Sequence, residues 1–186
     1  MAILDIKIYG NPALREKCAP VETITPELLT LAHDMLETMY EAGGVGLAAP
    51  QVGKSMRLVV IDPARPDEEE PPAPRIIFNP TWGAEADSRD VPYDEGCLSV
   101  PDVFCNVNRP GKIWIRYTNE NGETVEEHNI EGLLCRCFQH ETDHLDGKLF
   151  VDVISTADRE LNRSRLRDMV KKEKKKIESQ KTGKRR

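Results

Sequence analysis

The chain has 186 residues, a formal net charge of −6, 39% hydrophobic and 31% charged residues, which suits one core-forming domain with a tail and excludes a disordered or fibrous chain. No run approaches the ~18 apolar residues of a membrane span, and the N-terminal MAILDIKIYGNPALR has no long apolar stretch of a secretory signal. The five cysteines, Cys18, Cys97, Cys105, Cys135 and Cys137, are odd in number and lack framework spacing, which argues for free thiols in a reducing, cytoplasmic setting.

The first strong element is PELLTLAHDMLETMYE, residues 26–41, a predicted helix. Thr25 can cap it, Pro26 suits its first position, Gly43-Gly44 ends it, and Leu28, Leu31, Met35, Leu36 and Met39 form an apolar stripe. GGVGLAAPQVG follows, rich in glycine and small apolar residues. MRLVVID, 56–62, predicts a strand, and PARPDEEEPPAP, 63–74, a proline- and acid-rich surface loop that cannot form a core. RIIFNP predicts a second strand. KIWIRYTNENGETVEEHNI predicts a hairpin turning at Asn121-Gly122. EGLLCRCFQHETDHLDG predicts a helix ending near Gly147, and LFVDVIS leads into a last, highly charged helical stretch. Strands with a few helices, without regular alternation or internal repeat, predict an α+β fold.

Charge is uneven along the chain. From Arg159 onward 13 Lys/Arg stand against 4 Asp/Glu, so the tail carries +9 and, with a total of −6, the remainder carries −15. A basic tail on an acidic body suits a polyanionic partner such as RNA, or equally a solvated end.

The stretch QHETDHLDG, Gln139–Gly147, carries the chemistry. His140 and His144 are four apart, so on a helix they share one face. Two imidazoles so placed can share a metal ion, with the carboxylate of Glu141 reaching a water beside it. A pair of core histidines bonded to backbone is the competing reading. Leu133 and Cys137 lie on the same stripe, which points the histidines inward. Cys97, in DEGCLSVPD, is the best third ligand. Cys18, Cys105, Cys135 and Cys137 read as packing residues, and His33 and His128 as surface residues without partners.

Three segments in order, GVGLAAPQ (Gly44–Gln51), EGCLS (Glu95–Ser99) and QHETDHLDG, together resemble peptide deformylase, over most of the chain to about residue 155. The resemblance implies antiparallel β-sheets packed around a central HExxH helix, with an N-terminal and a C-terminal helix. It divides the chain into a catalytic domain, 1–155, and a basic, helical tail, 156–186. It implies removal of the N-formyl group from the formyl-methionine of newly made polypeptides. Cys97, His140 and His144 would hold one divalent metal, usually Fe(II), with Zn, Ni or Co as alternatives. Glu141 would be general base and acid, Gln51 and the backbone N–H of Leu98 would bind the carbonyl oxygen, and Gly46 would lie beside the substrate.

Elementary chemistry agrees with those assignments. A divalent metal lowers the pKa of its water towards ~7, and a buried carboxylate can pass the proton to the leaving amine. Two N–H donors facing developing negative charge make an oxyanion hole. Without the resemblance, Gln51 would read as an ordinary strand-edge glutamine. Gly44, Val45, Gly46, Leu133 and Cys137 are candidates for substrate contact, although helical core packing accounts equally well for the last two. Glu95 is expected to orient its loop, with Arg109 as ion-pair partner, and Asp143 to lie on the helix surface or behind the ligands. A contact between the tail and the ribosome, no membrane association and a monomeric state complete the expectations. The competing functions are an HExxH-type metallopeptidase, for which a cysteine ligand is unusual, and a ribosome-bound homologue without catalysis.

Overall fold

The computed structural model describes residues 2–64 and 71–183; residues 65–70 of the acidic loop and 184–186 of the tail lie outside the described residues. Helix α1 spans Pro26–Glu41, with Thr25 Oγ accepting the Leu28 N–H at 3.3 Å as its cap. It is followed by strands β1 (Gly46–Ala48), β2 (Leu58–Ile61), β3 (Arg75–Ala84), β4 (Asp90–Cys97), β5 (Val100–Pro110), β6 (Ile113–Thr118) and β7 (Thr124–Ile130). Helix α2 (Gly132–Leu145) and helix α3 (Thr156–Gly183) complete the chain, with short 3-10 turns at Pro12–Arg15, Ala49–Val52 and Phe150–Asp152.

The main sheet runs β1-β2-β3-β6-β7, every neighbour antiparallel, and β4-β5 forms a separate two-stranded sheet. The run LVVI of β2 is buried throughout because both faces of the sheet are covered. Val59 and Ile61 join Ile77, Ile113, Ile115 and Phe138 of α2 in one cluster. Leu58 and Val60 join Ile76, Phe78, Met35 and Met39 of α1 in another. Successive residues of a strand point to opposite faces, so a strand between two helical layers cannot alternate in polarity.

β2 is shorter than MRLVVID suggests, because the Arg57 N–H donates to Ala19 O at 2.9 Å rather than to the sheet. β3 is longer than RIIFNP suggests. Its register shifts between Phe78 and Thr81, around Pro80 and Asn79. Asn79 takes φ +51°, and its side chain bonds both Val21 N and Val21 O at 2.8 Å. A proline that reads as a strand end is therefore part of a bulge. At the turn of the β6–β7 hairpin Gly122 has positive φ and Asn121 does not, so Asn121-Gly122 is not a two-residue turn with both residues left-handed; Gly122 N–H donates to Asn119 O at 3.0 Å.

A third cluster lies on the far side of the β4–β5 hairpin, where Val100, Val103, Cys105 and Val107 meet Leu14, Phe150, Val151 and Leu166 of α3. α2 thus runs between the main sheet and the hairpin. It stops where Gly147, at φ +71°, backs onto Arg15 O, which an added Cβ would meet at 2.6 Å.

Candidate active site

Helix α2 presents Leu133, Cys137, His140 and Glu141 to one cavity of about 800 Å³, whose opposite wall comes from Gly43–Gly46, Gln51 and the tight β4–β5 turn at Cys97–Leu98. The residues expected at the site, Gly44, Val45, Gly46, Gln51, Cys97, Leu98, Leu133, Cys137, His140 and Glu141, all line it. His144 sits one helical turn deeper, 1% exposed, with Nε2 3.3 Å from Cys97 Sγ. Donor atoms of Cys97, His140 and His144 lie within 4.8 Å of one another. A soft sulfur and two imidazoles converging on one point are a donor set suited to Fe(II) or Zn(II).

Glu95, 3% exposed, underlies the cluster. His140 Nδ1 donates to Glu95 Oε2 at 2.9 Å, leaving Nε2 for the cavity. Arg109 grips the same carboxylate twice, through Nε at 2.7 Å and Nη2 at 3.0 Å, and Arg136 Nη1 donates to it at 3.0 Å. Burial works against the Glu95 charge, yet the hydrogen bonds from His140 and Arg109 outweigh it and hold the carboxyl at about 2. Burial likewise opposes charge on His140, but its bonds to Cys97 and Glu95 keep it well above the usual histidine range. His144 is pushed well below that range, by burial first and the neighbouring charge of His140 second.

The expected Glu95–Arg109 pair is present, but Glu95 does more than orient its loop: it fixes the His140 ring. Asp143 accepts from Arg109 Nη1 at 2.6 Å, so it stands behind the cluster rather than on plain surface. Arg136 escaped the sequence reading. Its signal is spacing, since Arg136 precedes His140 by one helical turn and an inward arginine needs a buried acid. Ser99, fully buried, was also missed. His33 is exposed as expected. His128 is exposed too, but it has partners: Nδ1 meets Glu85 Oε1 at 2.9 Å and Nε2 meets Glu126 Oε1 at 3.4 Å. The sheet brings Glu85 across from 43 residues away, which no local pattern shows.

Gln51 is not at a strand edge. It sits in the 3-10 turn Ala49–Val52, 1% exposed. Its Oε1 accepts the Ala48 N–H at 2.7 Å, which fixes the amide, and its Nε2 donates to Ser99 Oγ at 3.2 Å and towards Cys97 Sγ at 3.5 Å. Gly46 is packed against Glu141: an added Cβ would meet Glu141 Oε1 at 2.5 Å. Glu141 is 5% exposed, its Oε2 has no hydrogen-bond partner among the described residues, and burial pushes its carboxyl up to about 7. A buried carboxylate without a partner, facing a cavity beside a cluster of metal donors, makes Glu141 a candidate reactive group.

The sequence model of polypeptide deformylases matches residues 3–160. The chain belongs to the polypeptide deformylase family. The peptide deformylase of Caulobacter vibrioides is 47% identical over 176 residues, covering 92% of this chain and 97% of that one. That of Psychrobacter cryohalolentis is 45% identical over 172 residues, covering 92% and 88%. The crystal structure of the deformylase from Thermus thermophilus superposes with a TM-score of 0.81 at 39% identity, covering 92% of this chain and 99% of that one. That from Legionella pneumophila gives 0.78 at 40%, covering 90% and 95%. As a peptide deformylase the chain is a hydrolase that removes the N-formyl group from newly made polypeptides. The family is metal-dependent, and the Cys97–His140–His144 cluster fits a divalent ion.

Proposed function

We propose that Cys97, His140 and His144 hold one Fe(II) ion and that Glu141 moves the protons of deformylation. When bound, the ion would polarise the formyl carbonyl and acidify the attacking water. Glu141 accepts a proton from that water as its oxygen bonds to the formyl carbon. The Gln51 amide and the Leu98 N–H donate to the carbonyl oxygen as it gains charge; losing one such donor costs on the order of 3 kcal/mol. Glu141 then returns the proton to the methionine nitrogen as the C–N bond breaks, giving formate and a free amine. Glu95 holds His140 with Nε2 inward. Gly44, Val45 and Gly46 line the peptide, and Leu133 and Cys137 the methionine side chain.

The observation that carries this reading is the buried, unpartnered Glu141 carboxylate against Gly46 in the same cavity as Cys97 and His140. We further propose that residues 1–155 form the catalytic domain of a monomeric cytoplasmic enzyme. In that proposal the basic tail 156–186, which contains the exposed Lys171, Lys172, Lys174 and Lys175 of α3, meets the ribosome.

The test is hydrolysis of formyl-Met-Ala-Ser by protein purified without oxygen, with metal measured on the same sample. About one ion per chain with turnover is expected. Glu141→Ala should keep the ion and lose turnover by about 10²-fold or more; an active Glu141→Ala enzyme would sink the assigned proton path.

A further inference from the structure

The two donors proposed for the carbonyl oxygen sit on elements that no sheet joins. Gln51 belongs to the 3-10 turn that follows β1, at the edge of the main sheet. Leu98 belongs to the turn of the separate β4–β5 hairpin. An oxyanion hole works only while its donors stay about 3 Å from one shared oxygen position. One side-chain contact spans the gap, from Gln51 Nε2 to Ser99 Oγ at 3.2 Å. The main chains of the two turns are linked by a third segment.

That segment is the strap of residues 4–9, which lies outside every helix and strand. It bonds as an extended chain does, with alternate N–H groups turned to opposite sides. Leu4 N–H donates to Thr38 Oγ1 of α1 at 2.9 Å. On the other side, Lys7 N–H donates to Gln51 O at 2.7 Å and Tyr9 N–H to Ser99 O at 2.8 Å. Two donors only two residues apart thus hold both turns. The side chains anchor the strap at each end: Leu4 packs against the cluster under α1 and Tyr9 against the cluster behind the hairpin. Ile6, between them, lines the catalytic cavity. The Gln51 amide cannot swing independently of its backbone, because Oε1 is held by the Ala48 N–H at 2.7 Å. A shift of that turn therefore moves the amide with it.

We propose that this strap positions the oxyanion hole. Lys7 and Tyr9, through their N–H groups, hold the Gln51 turn and the hairpin turn at a fixed separation, and Ser99 Oγ aims the Gln51 amide. The inference rests on the deformylase reading of Gln51 and Leu98 and adds what keeps the pair in register. Lys7, Tyr9 and Ser99 are positioning residues, acting through Gln51 and Leu98.

The test replaces single strap N–H groups by ester oxygens, leaving every side chain in place. Cys18 allows this in the full chain, by ligating a synthetic segment ending at Lys17 to a recombinant segment beginning at Cys18. The esters at Lys7 and at Tyr9 should each lower kcat on formyl-Met-Ala-Ser about tenfold, with KM and bound metal within about twofold of the all-amide chain. The ester at Leu4, whose N–H faces α1, should lower the unfolding midpoint yet leave kcat unchanged. In a Gln51→Ala chain the Lys7 ester should have no further effect, since it acts through that amide. Ser99→Ala, made in the intact recombinant chain, should lower kcat several-fold and likewise add nothing to Gln51→Ala; it decides the matter if the ester chains do not refold. Unchanged kcat in the Lys7 and Tyr9 esters, an equal loss in the Leu4 ester, or losses that add fully to Gln51→Ala overturn the proposal. Full kcat in Gln51→Ala alone would overturn the role of that amide, and no turnover by the metal-loaded all-amide chain the deformylase reading itself, this proposal falling with either.

Discussion

A single missing methyl group sets the position of the Glu141 carboxylate. Gly46 is required not for backbone freedom but because a Cβ there would stand 2.5 Å from Glu141 Oε1. Gly46→Ala should therefore keep the fold and lower kcat by about 10²-fold, the scale of a displacement near 1 Å at a reacting group. Steady-state kinetics beside a thermal unfolding curve checks this; unchanged kcat would show that Glu141 can shift freely. In the proposed mechanism the same carboxylate should set the acid limb of the pH profile. Burial raises it to about 7, and a bound dication would pull it back down. As a base it must be ionised, so activity should fall as pH drops through a midpoint below 7. In Glu141→Asp that midpoint should move if Glu141 is the titrating group; an unmoved midpoint would assign the limb elsewhere.

At the scale of elements, the β4–β5 hairpin and α2 are joined by one carboxylate. Glu95 accepts from Arg109, Arg136 and His140, which come from β5 and α2. Glu95→Ala would leave the buried Arg136 without its acid and Arg109 with Asp143 alone. Such a break costs roughly 3–5 kcal/mol, and loss of the His140 partner should weaken metal binding by about 10–100-fold. Denaturant unfolding and a chelator competition measure the two losses separately. The sign of the pH effect follows from direction. Folding lowers the Glu95 pKa to about 2 from a usual 4.5, so its contribution is present above the usual value and is lost as pH falls from about 4.5 towards 2. Acid unfolding in that window should be shallower in Glu95→Gln than in wild type.

For the whole molecule, α3 is where composition and packing diverge. About half of its residues are charged, yet Leu166 sits in the third apolar cluster and Glu173, 4% exposed, accepts from Asn11 Nδ2 at 2.6 Å. The N-terminal segment that carries Asn11 also touches the site, because Lys7 N–H donates to Gln51 O at 2.7 Å and Tyr9 N–H to Ser99 O at 2.8 Å. Ending the chain at Ser155 should thus lower the unfolding midpoint, by an amount comparable to the roughly 2–5 kcal/mol of a Leu166→Ala cavity or more. Turnover of small formyl peptides at low temperature should survive, since no α3 residue lines the cavity among those described. A truncated chain as stable as the full one would show that these contacts add nothing.

Much of this was legible in the sequence. Residues 26–41, the β6–β7 hairpin and α2 carry strong local signals: a capped apolar stripe, an Asn-Gly turn, and a helix bounded by glycine. The HExxH spacing alone puts His140 and His144 on one helical face, because the α-helical period is a local property. The β4–β5 hairpin gave no such signal. Pro92, Pro101, Asn106 and Asn108 interrupt its pattern, and its strands hold together through cross-strand pairing and the cluster behind them. What only the tertiary structure decided is which distant groups share the low-dielectric space around α2. Arg109, Arg136 and Glu95 meet there, and the Gln51 amide turns inward on Ser99. Sequence determines such local periods and residue types directly. The pairing of buried charges depends on contacts between residues tens of positions apart, and only the folded chain brings those together.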